Sequence, residues 1–323
     1  MKNKIKVSAP GKLMLFGEHS VIYGRPCIVT AVNQRMRVTV EVTKDSGIEL
    51  VAPDVGIKSF KASISTPLDK LPKGARFVFA AVNNFNRRFK VISGLHIKTQ
   101  SDFSSKFGFG SSSSVTVCVV KALSEIFDIE VNNNMLFDIC YRSVLDVQGV
   151  GSGFDIAAAI WGGTLYFVGG GKKIKCISKK ELPLVVGYTG IKADTATLIK
   201  NVLELRKSNR KQVDLIFDVI DSVVERASKS IVDGDFKILG KQANLNQGLL
   251  DSLGVSTPEL SNLIFAVRYA GAYGAKLSGA GGGDCMISFV PNDKRISVGR
   301  AIEKAGGKVI SIKTGAEGVR IEK

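Results

Sequence analysis

The stretch of sequence that decides the fold runs from residue 106 to residue 114 and reads Lys106-Phe107-Gly108-Phe109-Gly110-Ser111-Ser112-Ser113-Ser114. Glycine has no side chain, so the backbone here can approach a ligand closely. The serines open an apolar stretch that continues to Phe127 and predicts a buried helix. Helix N-termini favour anions through their free amides and dipole. We therefore predict a phosphate site, with these ligands: Lys106, Gly108, Gly110, Ser111, Ser112 and Ser113.

The spacing of this stretch excludes two common phosphate motifs. No lysine follows the glycines, as the GxxxxGK[ST] loop requires, and the GxGxxG fingerprint of dinucleotide-binding folds is absent. A flexible serine loop that only caps an ordinary buried helix is the alternative at this point.

Two further segments carry chemistry towards the ends of the chain. Residues 8–19 place Lys12, Glu18 and His19 on a strand-like run that ends in a turn, and such mixed charges suit a polar, anionic substrate. Residues 276–285 have four glycines in five positions, which is costly unless the backbone must pass near something. We predict a second phosphate loop here, formed by Gly279, Gly281 and Gly282. The alternatives are a strand with exposed charges and a tight turn.

Length and amino-acid composition limit the classes of protein to which the chain can belong. The 323 residues favour two domains, and 45% apolar residues are enough for a sizeable core. No apolar run reaches the roughly 18 residues that a membrane helix needs. The N-terminus has no apolar stretch of the signal-peptide type, so we expect a cytoplasmic protein.

Cysteine and histidine usage argues against several kinds of site. The five cysteines form no CxxC pair, which disfavours a zinc site, and their odd number disfavours a disulfide framework. Two histidines are too few for a multi-histidine metal centre. The net charge of +16 favours an anionic binding partner. The basic clusters lack aromatic interleaving, so we interpret them as a solvated surface and expect neither nucleic acid nor membrane as a partner.

Strand and helix patterns are mixed along the whole chain and predict an α+β fold in two parts. The glycine- and lysine-rich run 169–180 is the best boundary, which predicts domains at 1–180 and 181–323.

Taken together and in this order, the three glycine-containing segments resemble motifs one, two and three of the GHMP kinase superfamily. The likeness runs from Lys6 to about Lys313. It implies an N-terminal α+β domain with a left-handed βαβ crossover and a C-terminal ferredoxin-like domain. ATP and Mg²⁺ are the implied cofactors, bound with a small-molecule substrate in the cleft between the domains. Retention of these motifs argues against a nucleic-acid-binding module and against an inactive regulatory member. The assembly that we expect is a homodimer.

The resemblance assigns roles to individual residues. Residues 151–155 match the segment that carries the catalytic aspartate, which falls at Asp155, and Lys12 matches the lysine beside it. An aspartate can take the proton of an alcohol while a lysine stabilises the alkoxide. Asp155 can also cap the helix that follows. Ser112 is the implied Mg²⁺ ligand. A metal-binding glutamate usual in the family is replaced by Val144, with Asp146 as the alternative ligand.

The acceptor is predicted from the first motif. Residues 17–24 are similar to family members that phosphorylate the primary hydroxyl of mevalonate in isoprenoid biosynthesis. The implied substrate residues are Glu18, His19 and Thr195. Residues 106–108, 151–155 and 283–285 are more similar to members that act on phosphomevalonate, which is the alternative acceptor.

Overall fold

The computed structural model describes residues 3–91, 93–104 and 107–322. The strands are Lys4–Phe16 (β1), Pro26–Thr43 (β2), Ile48–Ala52 (β3), Ile57–Ala62 (β4), Gly94–Ser101 (β5), Thr164–Val168 (β6), Lys173–Ser178 (β7), Leu184–Tyr188 (β8), Gly274–Ser278 (β9), Cys285–Phe289 (β10), Lys308–Ile310 (β11) and Arg320–Ile321 (β12). The helices are Arg76–Phe89 (α1), Ser111–Ile126 (α2), Asn133–Gln148 (α3), Phe154–Trp161 (α4), Thr195–Ser208 (α5), Arg210–Asp233 (α6), Phe236–Ser252 (α7), Pro258–Tyr269 (α8) and Arg295–Lys304 (α9).

The larger sheet is built around the long antiparallel pair β1–β2. Its main path runs β12-β1-β2-β5-β3-β4, and β6 and β7 extend it from the N-terminal half of β2. β1 alternates at its start, with Val7 opposite Val38, and then becomes continuously buried from Val7 to Phe16. A strand reads as a continuous apolar run when both of its faces are covered. Here α2, α4 and α6 all contact β1.

α2 is the central helix of the N-terminal half. It packs on β1 and β2, and α1, α3 and α4 surround it. Most of α2 is therefore buried, as the apolar run after the serines predicts. Its first turn lies beside Lys12 of β1, because the amide of Lys12 donates to the carbonyl of Phe109 (2.9 Å).

The smaller sheet has the ferredoxin-like arrangement that the resemblance implies. Its strands lie in the order β11-β8-β10-β9, with every neighbouring pair antiparallel. In chain order this is fourth, first, third, second, and helices connect β8 to β9 and β10 to β11. That is the β-α-β-β-α-β pattern of ferredoxin-like domains.

The chain changes from the larger to the smaller sheet between β7 and β8, which contains the predicted boundary at 180/181. The last residues behave differently from the prediction, because they return to the larger sheet. β12 pairs with β1, and Thr314 and Glu317 bridge to Val32 and Gly162.

Three elements differ from the sequence expectations. α1 was not predicted, although Val78, Val82 and Phe85 are buried at helical spacing. The sequence of residues 35–44 predicts a strand, but β2 begins earlier, at Pro26, because the apolar residues before Arg35 pair with both β1 and β6. The glycines at 234 and 240 predict breaks in the helical region 213–253, yet Gly240 lies inside α7. An added Cβ there would lie 2.4 Å from the carbonyl carbon of Tyr273, so this glycine serves close packing.

No helix in the described part of the chain has the length and apolar character needed to span a membrane.

Candidate active site

A cavity of about 360 Å³ lies between the two sheets, where α2, α4 and α5 begin. Residues from all three glycine-containing segments line it. Helix N-termini carry partial positive charge and free amides, so three converging ends favour an anionic ligand. The predicted site residues that line it are Lys12, His19, Gly108, Gly110, Ser111, Ser112, Asp155, Thr195 and Gly279.

Lys12 and Asp155 form an ion pair in the wall of this cavity. Nζ of Lys12 lies 3.1 Å from Oδ1 of Asp155 and also donates to the carbonyl of Gly108 (3.0 Å). It sits 5.1 Å from the ring centre of Phe154, which limits water access to the ammonium group. Asp155 is the second residue of α4, where a negative charge is favoured by the helix dipole. The pair therefore joins β1, the phosphate loop and α4 at one point.

The first turn of α2 faces the same cavity. Gly110 is the N-cap residue of α2 with φ of 77°, and Ser111 and Ser112 follow it in the cavity wall. Ser113 differs from the expectation, since it is buried away from the cavity. Ser114 is used structurally, because its hydroxyl donates to the carbonyl of Pro10 (2.8 Å). Lys106 lies outside the described residues.

His19 lines the cavity from the end of the first motif. Its Nε2 lies 2.9 Å from the carbonyl of Ala280, and a carbonyl only accepts, so Nε2 carries the proton. Burial lowers the pKa of His19, which keeps the ring neutral and leaves Nδ1 as a hydrogen-bond acceptor. The proton on Nε2 of His19 is thus already used within the protein, and Nδ1 is the ring atom left for a substrate.

Glu18 does not face the cavity, contrary to the expectation. Its carboxylate is buried, with a residue exposure of 1%, and forms an ion pair with Lys276 of β9. The other oxygen, Oε2, accepts from Nδ2 of Asn246 in α7 (3.1 Å). Glu18 and His19 are adjacent on a turn, and their side chains point in different directions. The buried Lys276 compensates the charge of Glu18.

The third glycine segment contributes only part of its glycines to the cavity. Gly279 lines it, whereas Gly281 and Gly282 do not. An added Cβ on Gly281 would lie 2.1 Å from the carbonyl oxygen of Val255, so this glycine allows the loop to pack on the loop before α8. Asp284 lines the cavity and pairs with Lys192, whose Nζ lies 3.2 Å from both carboxylate oxygens.

The predicted residue Thr195 is the first residue of α5. Asp194 caps this helix, since its carboxylate accepts from the amide of Thr197 (3.3 Å). Thr195 and Lys192 therefore enter the cavity on either side of the cap.

Asp146, the alternative metal ligand, does not line the cavity. It is exposed on α3, and its Oδ2 accepts from Nδ2 of Asn84 in α1 (2.8 Å). Val144 is buried. Among the described residues, no group of three or more histidine, cysteine, aspartate or glutamate residues could hold a metal by itself.

The oxygen donors of the cavity nevertheless suit Mg²⁺ bound together with phosphates. Ser111, Ser112, Gln148 and Asp155 all line it. Mg²⁺ prefers hard oxygen ligands and commonly takes only one or two from protein, with phosphate and water completing the octahedron.

A second cavity of about 370 Å³ adjoins the first and shares Ser111 and Ser112 with it. Its lining is mostly apolar and comes from β2, β3, β5, α1, α2 and the loops beside them, including Met36, Phe77 and Phe103. A few polar groups, such as Thr99, also line it. A largely apolar pocket with a few polar groups is typical of a small-molecule site.

Sequence reasoning missed three residues that shape the site. Lys192 and Gln148 line the cavity, and Lys276 pairs with Glu18 behind it. Lys192 stands two residues before Asp194, a residue type that favours helix starts, and this position could have marked it. Lys276 lies between apolar residues in a predicted segment, and a lysine in such a place needs a buried partner.

Comparisons with known proteins agree with the geometry. Residues 76–163 match the family model of the GHMP kinases N terminal domain, and residues 227–308 match that of the GHMP kinases C terminal. The mevalonate kinase of Thermococcus sibiricus is 36% identical over 331 residues, covering 99% of this chain and 98% of that protein. That of Pyrococcus furiosus is 36% identical over 335 residues, with 99% and 98% covered.

Among solved structures, the L. major mevalonate kinase in complex with R-mevalonate superposes with a TM-score of 0.80 at 25% identity, with 97% of each chain covered. The matches of both halves and the matches over the full length therefore indicate the same family. The chain belongs to the GHMP kinase family.

Proposed function

We propose that the protein is a mevalonate kinase, which transfers the terminal phosphoryl group of ATP to the primary hydroxyl of mevalonate. The Lys12–Asp155 pair beside the N-terminus of α2 carries this proposal. It puts a base, a cation and a phosphate-binding helix end into one cavity. The curated relatives named mevalonate kinase support the choice of acceptor.

Asp155 acts as the general base on the acceptor hydroxyl. Its Oδ1 is buried against Lys12, while 33% of the side chain is exposed, so Oδ2 is the oxygen that an incoming hydroxyl meets. Lys12 holds Oδ1 of Asp155 in an ion pair (3.1 Å) and so fixes the orientation of the carboxylate. It also stabilises the negative charge that develops on the acceptor oxygen. Phosphoryl transfer otherwise depends on positioning and charge neutralisation, to which the α2 amides contribute.

The charge balance of the cavity favours mevalonate over phosphomevalonate. Its lysines, among the described residues, are Lys12 and Lys192, and each is paired with an aspartate. A dianionic phosphate acceptor would need two or more cations, whereas a single carboxylate needs fewer. Lys192, which is shared with Asp284 at the rim, is the cation we assign to the carboxylate of mevalonate, and Nδ1 of His19 and the hydroxyl of Thr195 are the partners we assign to its tertiary hydroxyl.

The second cavity is the place for the nucleoside of ATP. It shares Ser111 and Ser112 with the first, so a triphosphate on the α2 N-terminus would extend its base into the apolar space beyond. Mg²⁺ bound with the nucleotide would neutralise charge on the phosphates, and Ser112 is the residue that would hold it.

A coupled ADP-release assay tests the proposal, run in parallel with mevalonate and phosphomevalonate as acceptors. We expect turnover with mevalonate and at most background with phosphomevalonate. The reverse ranking would contradict the proposed acceptor while leaving the kinase chemistry intact. Lack of activity with both acceptors, for a folded protein that binds ATP, would contradict the proposed function.

A further inference from the structure

Glu18 and its partners form a fully buried cluster directly behind His19. The side chains of Glu18 and Lys276 are both 0% exposed, and Asn246 is equally buried. Glu18 follows β1 of the larger sheet, whereas Lys276 and Asn246 belong to β9 and α7 of the other domain. The cluster therefore joins the two domains at the wall of the cavity.

His19, the next residue, has an unusual backbone. Its φ is 62°, in the left-handed region that favours glycine, and its ψ is −47°. A non-glycine residue keeps such a conformation only where the surrounding structure compensates the strain. Contacts of both residues compensate this strain. The Glu18 carboxylate is held by Lys276 and Asn246, and Nε2 of His19 donates to the carbonyl of Ala280.

We propose that Lys276 and Asn246 are positioning residues for the acceptor site, which hold Glu18 so that the adjacent His19 keeps its strained backbone and lines the cavity. This inference rests on the proposed function for its kinetic consequences. Neither Lys276 nor Asn246 lines the cavity, so each acts through Glu18. Their loss is expected to affect mevalonate far more than ATP, since His19 lies at the acceptor end of the cavity.

A double variant separates positioning from stability. Lys276→Met alone leaves the Glu18 charge buried without a partner and should lower the melting temperature strongly. Glu18→Leu together with Lys276→Met removes both charges, and replacing a buried pair by apolar residues is often neutral or stabilising. We expect the double variant to regain most of the melting temperature. Its KM for mevalonate should stay at least tenfold above the wild-type value, with KM for ATP within about twofold.

A return of KM to the wild-type value together with the melting temperature would overturn the proposal, because the pair would then be purely structural. Arg25→Met is the matched control. It removes the other ionic contact described between the domains, in which Arg25 pairs with Asp218 (2.7 Å) and Asp221 (2.6 Å) of α6, away from the cavity. The control should leave KM for mevalonate unchanged.

Histidine NMR gives a readout that needs no substrate. The chain has two histidines, so comparison with His96→Gln identifies the His19 signals. Wild-type His19 should show the Nε2–H tautomer, and the double variant should show averaged or shifted ring signals. Unchanged His19 signals would overturn the proposal. The NMR comparison tests the positioning role of Lys276 and Asn246 even if the wild type does not phosphorylate mevalonate. That lack of activity would contradict only the proposed function.

Should the double variant fail to fold, Asn246→Ala makes the milder change, removing only the hydrogen bond to Oε2 of Glu18. We expect the same selective rise in KM for mevalonate, of about threefold or more, on the scale of one hydrogen bond. An unchanged KM with unchanged His19 signals in this variant would overturn the proposal.

Discussion

Asp155 is the residue on which the proposed chemistry depends most. Asp155→Asn keeps the shape of the side chain and its place in the first turn of α4 but removes the base. We expect kcat to fall by about 10²–10⁴, the usual contribution of general-base catalysis, with ATP affinity nearly unchanged. Steady-state kinetics and nucleotide titration measure the two quantities.

The matched control is Asp146→Asn, which makes the same change on α3 where the carboxylate bonds Asn84 outside the cavity. It should retain kcat and its Mg²⁺ dependence. Turnover of Asp155→Asn within tenfold of the wild type would refute the assignment of the base. An altered Mg²⁺ requirement in Asp146→Asn would restore that residue as a metal ligand.

His19 predicts a pH dependence of stability. Burial lowers its pKa, so the unfolded chain binds a proton at a pH where the folded protein does not. The stabilisation from a neutral His19 is complete above about 6.5, the ordinary pKa of histidine. It is lost progressively as the pH falls below that value. Denaturant unfolding at several pH values should show this loss in the wild type.

His19→Asn should flatten this part of the profile, since asparagine tolerates positive φ and does not titrate. His96→Asn, which removes the other histidine, should retain the wild-type loss of stability below about pH 6.5. A profile for His19→Asn that matches the wild type would show that other groups cause the loss.

At the scale of elements, the first turn of α2 offers two adjacent serines in different surroundings. Ser112 lines both cavities, whereas Ser113 is buried away from them. Ser112→Ala should raise KM for Mg·ATP by at least about tenfold, because a hydrogen bond or metal ligand to a charged group is worth about 1.5–3 kcal/mol. KM for mevalonate should change little.

Ser113→Ala is the matched control for this prediction, because it removes the same hydroxyl one residue later in the same helix. Its kinetic constants should stay close to those of the wild type. Equal effects of Ser112→Ala on the two substrates would mean that the hydroxyl only supports the helix start.

At the scale of the whole molecule, Arg35 ties the end of the chain to the larger sheet. It is 5% exposed, and its guanidinium donates to the carbonyls of Ser8 (3.0 Å), Glu317 (2.8 Å) and Gly318 (2.7 Å). Arg35→Met leaves these acceptors without this donor. We expect the free energy of unfolding to fall by about 3 kcal/mol, since each buried unsatisfied group costs about 1–3 kcal/mol.

Arg37→Met, two residues along the same strand, is the control. Arg37 forms a partly exposed ion pair with Asp102, and such pairs contribute at most about 1 kcal/mol. Chemical denaturation compares the two variants. A loss for Arg35→Met no greater than for Arg37→Met would contradict the role of Arg35 as the anchor of the chain end.

The expected cytoplasmic location and homodimer also belong to this scale, and both stay predictions. Size-exclusion chromatography with light scattering measures the assembly directly. The described surface carries exposed apolar side chains on α8, with Phe265 67% and Tyr269 99% exposed.

The sequence alone determined the family and the fold class, because three glycine-containing motifs occur in the order that the family has. The same resemblance predicted the proposed catalytic residues Lys12 and Asp155 by number. The start of α2 follows from a local pattern, since a glycine–serine run before an apolar stretch favours a helix start. The apolar spacing of α1 is equally visible in the sequence.

Only the tertiary structure decided which neighbours of these residues face the cavity. Glu18 and His19 are adjacent in one motif, yet one is buried against Lys276 and the other lines the site, because a strained turn separates their directions. Ser112 and Ser113 are likewise adjacent in the first turn of α2, and Ser112 lines the cavity while Ser113 is buried away from it. The partners of Glu18 lie more than 200 residues away in the chain, at 228 and 258 positions, and no local pattern encodes a contact of that range. Burial and charge compensation are properties of the packed molecule, so they appear only when the two domains are placed together.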